Sequence, residues 1–142
     1  MRSSIPPPLV SSHDFSRNQA ETEFTPILQE LIHGRIGALG AVLFDADGET
    51  VDHYSGMGEY DIKLVAAHTG IIVRFASDAL FGICKARPQE VVFSTSSVEF
   101  TTVFLGDGYC LSIVTTPRKS NTTLLRLLLP RIIARIKAVG GM

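Results

Sequence analysis

The sequence predicts an α+β fold: a five-stranded antiparallel sheet in the order α-β-β-α-β-β-β-α, with helices on both faces. Three observations predict it. Segments that alternate with period two are joined by short turns carrying Asp-Gly or Gly-Asp-Gly, which implies hairpins and antiparallel neighbours. Helical periodicity appears before the first hairpin, between the second and third strands, and after the last strand. The middle helix is apolar over about twice the arc that a surface helix normally shows. At 142 residues the chain is long enough for one core and too short for two.

Residues 1–22 are expected to form a disordered arm, and residues 23–142 the domain. The arm holds Pro6, Pro7 and Pro8, many serines and no periodicity. A polyproline II segment would suit the three prolines, but a plain flexible arm is the simpler reading. The first helix starts near Thr25-Pro26, with Thr25 as cap and Pro26 at the first helical position, where its missing N–H is not needed. Ile27, Leu28, Leu31 and Ile32 make its apolar face, and Gly34 and Gly37 allow left-handed stops.

Leu39, Ala41 and Leu43 alternate with Val42 and Phe44, so the first strand is apolar on both faces and central. Asp47-Gly48 suits a primed turn. The second strand, Glu49 to Ser55, is half polar and reads as a more exposed edge. The long helix runs from Tyr60 or Asp61 to about Ala86, and Pro88 blocks its continuation. One stripe of it holds Ile62, Val65, Ala66, Thr69, Ile72, Val73, Ala76 and Leu80. A neighbouring stripe holds Leu64, His68, Ile71 and Phe75, and the remaining arc Lys63, Gly70, Arg74, Ser77 and Asp78. The first stripe is enough to cover a sheet, so the second is surplus.

Three strands follow: Glu90 to Ser94, Val98 to Leu105 and Tyr109 to Thr116, the last two joined by Gly106-Asp107-Gly108. The final helix starts near Ser120 or Asn121 and ends at Gly140-Gly141. Leu124, Leu125, Leu128, Leu129, Ile132, Ile133, Ile136 and Val139 share its apolar face. That periodicity continues across Pro130, which favours one kinked helix over a helix starting there.

Composition excludes several function classes. A net charge of −1 creates no field that favours nucleic acid. No run reaches the roughly 18 consecutive apolar residues of a membrane span, so no membrane insertion is expected. The start lacks the apolar stretch of a secretory signal, and the expected location is cytoplasmic. Cys84 and Cys110 stand far apart, outside CxxC spacing, and read as buried small apolar residues.

Polar groups that invite chemistry have plainer readings. Asp45, Asp47, Glu49 and Asp52 lack the ligand spacing of a calcium loop, and Gly48 comes too early for one, so they read as a solvated turn. Asp52 and His53 are adjacent on a strand and point to opposite faces, which prevents a catalytic pair. His33 sits where a helix end offers carbonyls. His68 falls on the surplus stripe without a Cys or carboxylate at metal-ligand spacing, so it reads as a core or interface histidine. Arg118, Lys119 and the arginines of the last helix read as a solvated basic face. No motif supplies an activated nucleophile, a phosphate loop or a dinucleotide site, so no enzyme activity, cofactor or metal is expected.

The strand reading GALGAVLFDADGETVDHYS, the AAHTG helix after it and the later DGYCLSIV strand resemble the roadblock/dynein light chain family, over about residues 24–140. The Pro-rich arm and Pro130 depart from that pattern. The resemblance implies a profilin-like sheet with the long helix on one face and the terminal helices on the other. It implies a homodimer that pairs third strands and central helices, here Leu64, His68, Ile71 and Phe75 with Val91, Val92 and Phe93. Burying such side chains contributes up to about 1.5–3 kcal/mol each.

The resemblance also implies a non-enzymatic role. Bacterial members often accompany a small Ras-like GTPase, and one gliding-motility member stimulates such a GTPase as a homodimer. The expected function is thus a homodimeric regulator or scaffold for a small Ras-like GTPase, or for a motility or signalling complex. Lys63, Arg74 and Asp78, beside the surplus stripe, are its candidate partner contacts. The competing reading is a small-molecule sensor of PAS or profilin-like type, which needs an internal cavity that the filled-looking Leu/Val/Phe pattern does not announce.

Overall fold

The computed structural model describes Arg17 and residues 19–142; Pro6 to Pro8 of the expected arm lie outside the described residues. The elements are α1 (Thr25–Ile32), β1 (Ala38–Phe44), β2 (Thr50–Ser55), α2 (Glu59–Cys84), β3 (Glu90–Ser94), β4 (Glu99–Gly106), β5 (Tyr109–Thr115) and α3 (Thr122–Gly140). The predicted order is observed, with boundaries displaced by a residue or two. The five strands form one antiparallel sheet in the order β2-β1-β5-β4-β3. Strand β1 is interior, as its two apolar faces require, and β2 and β3 are the edges.

Each sheet face has its own core. On one face α1 and α3 bury Leu28, Leu31, Leu129, Ile132 and Ile136 against Ala41, Leu43, Leu111 and Ile113. On the other, α2 buries Ile62, Val65, Ala66 and Val73 against Val42, Phe44, Cys110 and Val114. The period-two alternation of the strands produces this division, because successive side chains leave the sheet on opposite sides.

Local chemistry explains the joints. At the β1–β2 turn the Asp45 carboxylate accepts from the N–H groups of Asp47 (2.9 Å) and Glu49 (3.0 Å). Only Gly48 of the Asp47-Gly48 pair takes a positive φ, so the expected primed turn is absent. The primed geometry appears instead at Asp107-Gly108, where φ is 53° and 83°. Thr25 does not cap α1: Phe24 holds the cap position, and the Thr25 hydroxyl turns to Asp52. Asn121 caps α3, its side chain accepting from the Leu124 N–H at 3.0 Å. Helix α3 runs unbroken through Pro130.

Three further expectations fail, each for a tertiary reason. Strand β2 is an edge, yet Asp52, His53, Tyr54 and Ser55 are buried: α1, Arg17 and Thr22 pack over Asp52 and Tyr54 on one face, while the start of α2 and the residues before it cover His53 and Ser55 on the other. The sheet-facing stripe of α2 is rotated from the expected one. Gly70 and Ser77 are buried, while Ile72 and Leu80 are exposed. The rotation is set where α2 crosses the β1–β2 turn: a Cβ on Gly70 would lie 3.2 Å from the Gly48 Cα. Cys84 is exposed near the end of α2, and only Cys110 is buried, where desolvation pushes its thiol up to about 11. Helix α2 is long and apolar enough, by length and composition, to cross a membrane, with a mean hydropathy of 1.4, although no uninterrupted apolar run in it reaches 18 residues. Its buried face lies on the sheet, and Lys63, His68, Arg74 and Asp78 interrupt its outer side.

Candidate partner-binding surface

The buried side of α2 is narrow and the helix is apolar well beyond it. Ile71 and Phe75 project away from the sheet, 52% and 73% exposed, and Leu64 is exposed beside them. Ile72 leans toward β3, and Tyr60, Phe81 and Ile83 extend the exposed apolar surface to both ends of the helix. Sequence periodicity identified Leu64, His68, Ile71 and Phe75 as surplus, and all four are exposed. It missed Ile72 and Leu80, assigned to the sheet side. The residue that would have corrected it is Gly70, whose missing side chain marks a close approach rather than a polar arc.

The edge strand β3 adds a second part to this surface. Val92 is 43% exposed, while Val91 and Phe93 lie half-buried on the α2 side of the sheet. A groove of about 370 Å³ runs between α2 and the sheet, lined by Leu64, His68, Ile72, Phe93, Thr95 and Phe100. The structure thus brings Leu64 and His68 beside Phe93, and leaves Ile71 and Phe75 on the adjoining crest of the helix.

The three polar candidates lie on the opposite flank of α2. Lys63 is exposed. Arg74 turns back and donates to the Ala46 carbonyl in the β1–β2 turn. Asp78 pairs with Arg87 at 3.1 Å, and that guanidinium also stands 4.7 Å over the Phe81 ring. Among the described residues no three His, Cys, Asp or Glu side chains converge as a metal site requires.

A cavity of about 320 Å³ opens on this flank. Its walls are Phe44, Val73, Phe104 and Cys110, and Arg74 and Arg87 stand at its rim. The strand pattern did not announce it, because small residues of distant elements, Gly70, Ser77, Gly106 and Gly108, make the room.

A third polar cluster lies away from α2. Asp52, fully buried, is paired with Arg17 at 2.8 Å and accepts from the hydroxyls of Thr22 and Thr25 and from the His53 N–H. Burial alone would raise its carboxyl, but these donors together hold it below the ordinary value. His53 points the other way, as the alternation demands, with Nε2 3.2 Å from Glu59. Burial, aided by the Arg17 charge, lowers its pKa against the opposing pull of Glu59. His33 is bonded through Nε2 to the Tyr54 hydroxyl at 2.8 Å.

No protein-family model matches the sequence, and no curated protein does. Solved structures do. A Roadblock/LC7 domain from Streptomyces avermitilis superposes with a TM-score of 0.74 at 16% identity, over 82% of this chain and 96% of that one. Myxococcus xanthus MglB gives 0.71 at 17% identity, over 84% and 98%. An MglB solved in a tetrameric arrangement gives 0.71 at 17% identity, over 83% and 88%. At these identities the likeness concerns the fold: the chain has the α+β roadblock/LC7 fold.

Proposed function

From that fold, we propose that the chain is a non-enzymatic regulator or scaffold that works as a homodimer and binds a small Ras-like GTPase. The observation that carries the dimer is the outer face of α2, where Leu64, Ile71 and Phe75 face solvent beside the open edge of β3. A contiguous apolar surface of this kind favours association over exposure. Pairing β3 with its copy would also supply hydrogen-bond partners to an unpaired strand edge. The GTPase part of the reading rests on the fold and on the family the sequence resembles. A rigid pair of α2 helices can hold a switch segment in one arrangement, which is positional help rather than chemistry. Lys63, Arg74 and Asp78 flank the apolar crest and would supply polar contacts to such a partner.

Sedimentation equilibrium at micromolar concentration tests the dimer; a monomer there would remove the reading. Ile71→Glu and Phe75→Glu are each expected to split the dimer while leaving the protomer folded, since both side chains are exposed. Nucleotide dependence tests the partner. A small Ras-like GTPase from the same cell should be retained when loaded with a GTP analogue and lost, or weakened at least tenfold, with GDP.

The cavity bounded by Phe44, Val73 and Phe104 favours a second reading, a small-molecule sensor. Native mass spectrometry of gently purified protein would reveal a bound small molecule as a discrete mass increment, displaced by a Val73→Phe substitution that fills the space.

A further inference from the structure

An antiparallel sheet of five strands has two edges, and the two edges here are treated differently. Each presents backbone donors and acceptors on its outer side, a template for pairing with another strand. Neither β2 (TVDHYS) nor β3 (EVVFS) contains the proline or lysine that commonly blunts an edge. A register shift between Leu43 and Phe44 leaves Val51 unpaired with β1 and bends the start of β2, but the rest of β2 is regular.

What covers β2 is the segment that precedes α1. Arg17 donates to the His53 carbonyl. Gln19 donates through Nε2 to the Val51 carbonyl at 3.0 Å. The His53 N–H is taken by the Asp52 carboxylate at 2.8 Å. Three backbone groups of the edge strand are therefore occupied by side chains rather than by a sixth strand. The anchor is the buried Asp52 carboxylate, which meets Arg17 at 2.8 Å and the Thr22 hydroxyl at 2.6 Å. Arg17 does double duty, neutralising Asp52 and filling the His53 carbonyl. The fastening lies within the chain, so it acts at a high effective concentration and excludes an incoming strand without forming a strand itself.

We propose that Arg17 and residues 19–22 are a strap that seals the β2 edge against a second copy of this chain, so that, among the described residues, β3 is left as the open edge of the sheet. Releasing the strap exposes β2 to the β2 of another copy, which joins antiparallel and continues the sheet. If β3 already pairs two protomers, as the dimer reading holds, each dimer then carries two open β2 edges and assembles without a closing step. If β3 pairs nothing, release yields a dimer only. The strap thus sets whether assembly stops, independently of whether the α2 face is an interface.

The test uses the full chain in two backgrounds, unmodified and carrying Ile71→Glu with Phe75→Glu. In each, Arg17→Ala, Gln19→Ala and Asp52→Asn are combined. Removing both charges together avoids leaving a buried ion without its partner. Thermal melting establishes that the variants fold, and hydrogen exchange of residues 20–22 should accelerate at least tenfold on release. Analytical ultracentrifugation then reads mass against concentration. The expected result is growth beyond the parent mass in the unmodified background, and a shift from monomer to dimer in the helix-charged one. Should the helix-charged parent remain a dimer, the α2 reading fails while the strap is still judged by whether release raises the mass above that parent. Unchanged mass in both backgrounds, with melting intact and exchange accelerated, overturns the proposal. Growth in the helix-charged monomer that passes through dimer into unlimited aggregate overturns it equally, because open apolar surface rather than one strand edge would then be the cause.

Discussion

Asp52 is the residue whose surroundings depart most from its local sequence context. In TVDHYS it reads as a solvent-facing polar residue, yet it is buried with four donors around it. Nothing near it in sequence announces Arg17, which the fold brings from far upstream. Asp52→Ala would leave Arg17 buried without a counter-charge, and breaking such a pair costs about 3–5 kcal/mol. Urea denaturation at pH 7 should show a loss of that order. His53 was read correctly as turned away from Asp52, but its burial was not legible. Its pKa lies below the ordinary 6.5, so the unfolded chain binds the proton more readily than the folded one. Its contribution is complete above pH 6.5 and is lost as pH falls toward the lowered value. Denaturation curves from pH 8 to pH 5 should show stability falling in that window, and His53→Gln should flatten the fall. Asp52, also lowered, acts in a separate window: its contribution is kept above its ordinary 3.8 and lost as pH falls through the lowered value.

Helices and strands were legible wherever periodicity was strong. The two-sided apolar character of β1 placed it inside the sheet, and the apolar pattern of α3 carried it through Pro130. Pro130 supplies no N–H to the preceding turn and is exposed, so nothing in the core requires it. Pro130→Ala is expected to stabilise the protein by about 1–3 kcal/mol, read as an increase in the urea midpoint. The approach to β1 is less tolerant. Gly37 has φ 74°, and a Cβ there would run into the Lys119 carbonyl of the β5–α3 connection. Gly37→Ala should therefore cost more than the roughly 1 kcal/mol of the backbone conformation alone, seen as a lowered thermal midpoint. The rotation of α2 about its axis was not legible. Periodicity measures how wide an apolar arc is, whereas the direction that arc faces depends on how closely the Gly70–Gly48 contact lets the helix approach its neighbour.

Among the described residues, the sheet's two faces are covered by α2 on one side and by α1 with α3 on the other, and what is left is one apolar crest and one open edge. The excess of apolar helix was readable from composition and spacing, since an arc too wide for one sheet remains too wide however the chain folds. The alternation of the strands likewise dictated which residues share a face, because the pleat leaves no other arrangement. Which sheet edge is closed, where the cavity opens and which carboxylate is buried belong to long-range proximity. Arg17 meets Asp52, and Ser77 and Gly106 line one cavity, only because the sheet and helices carry them together, and a one-dimensional pattern holds no record of distances between residues far apart along the chain.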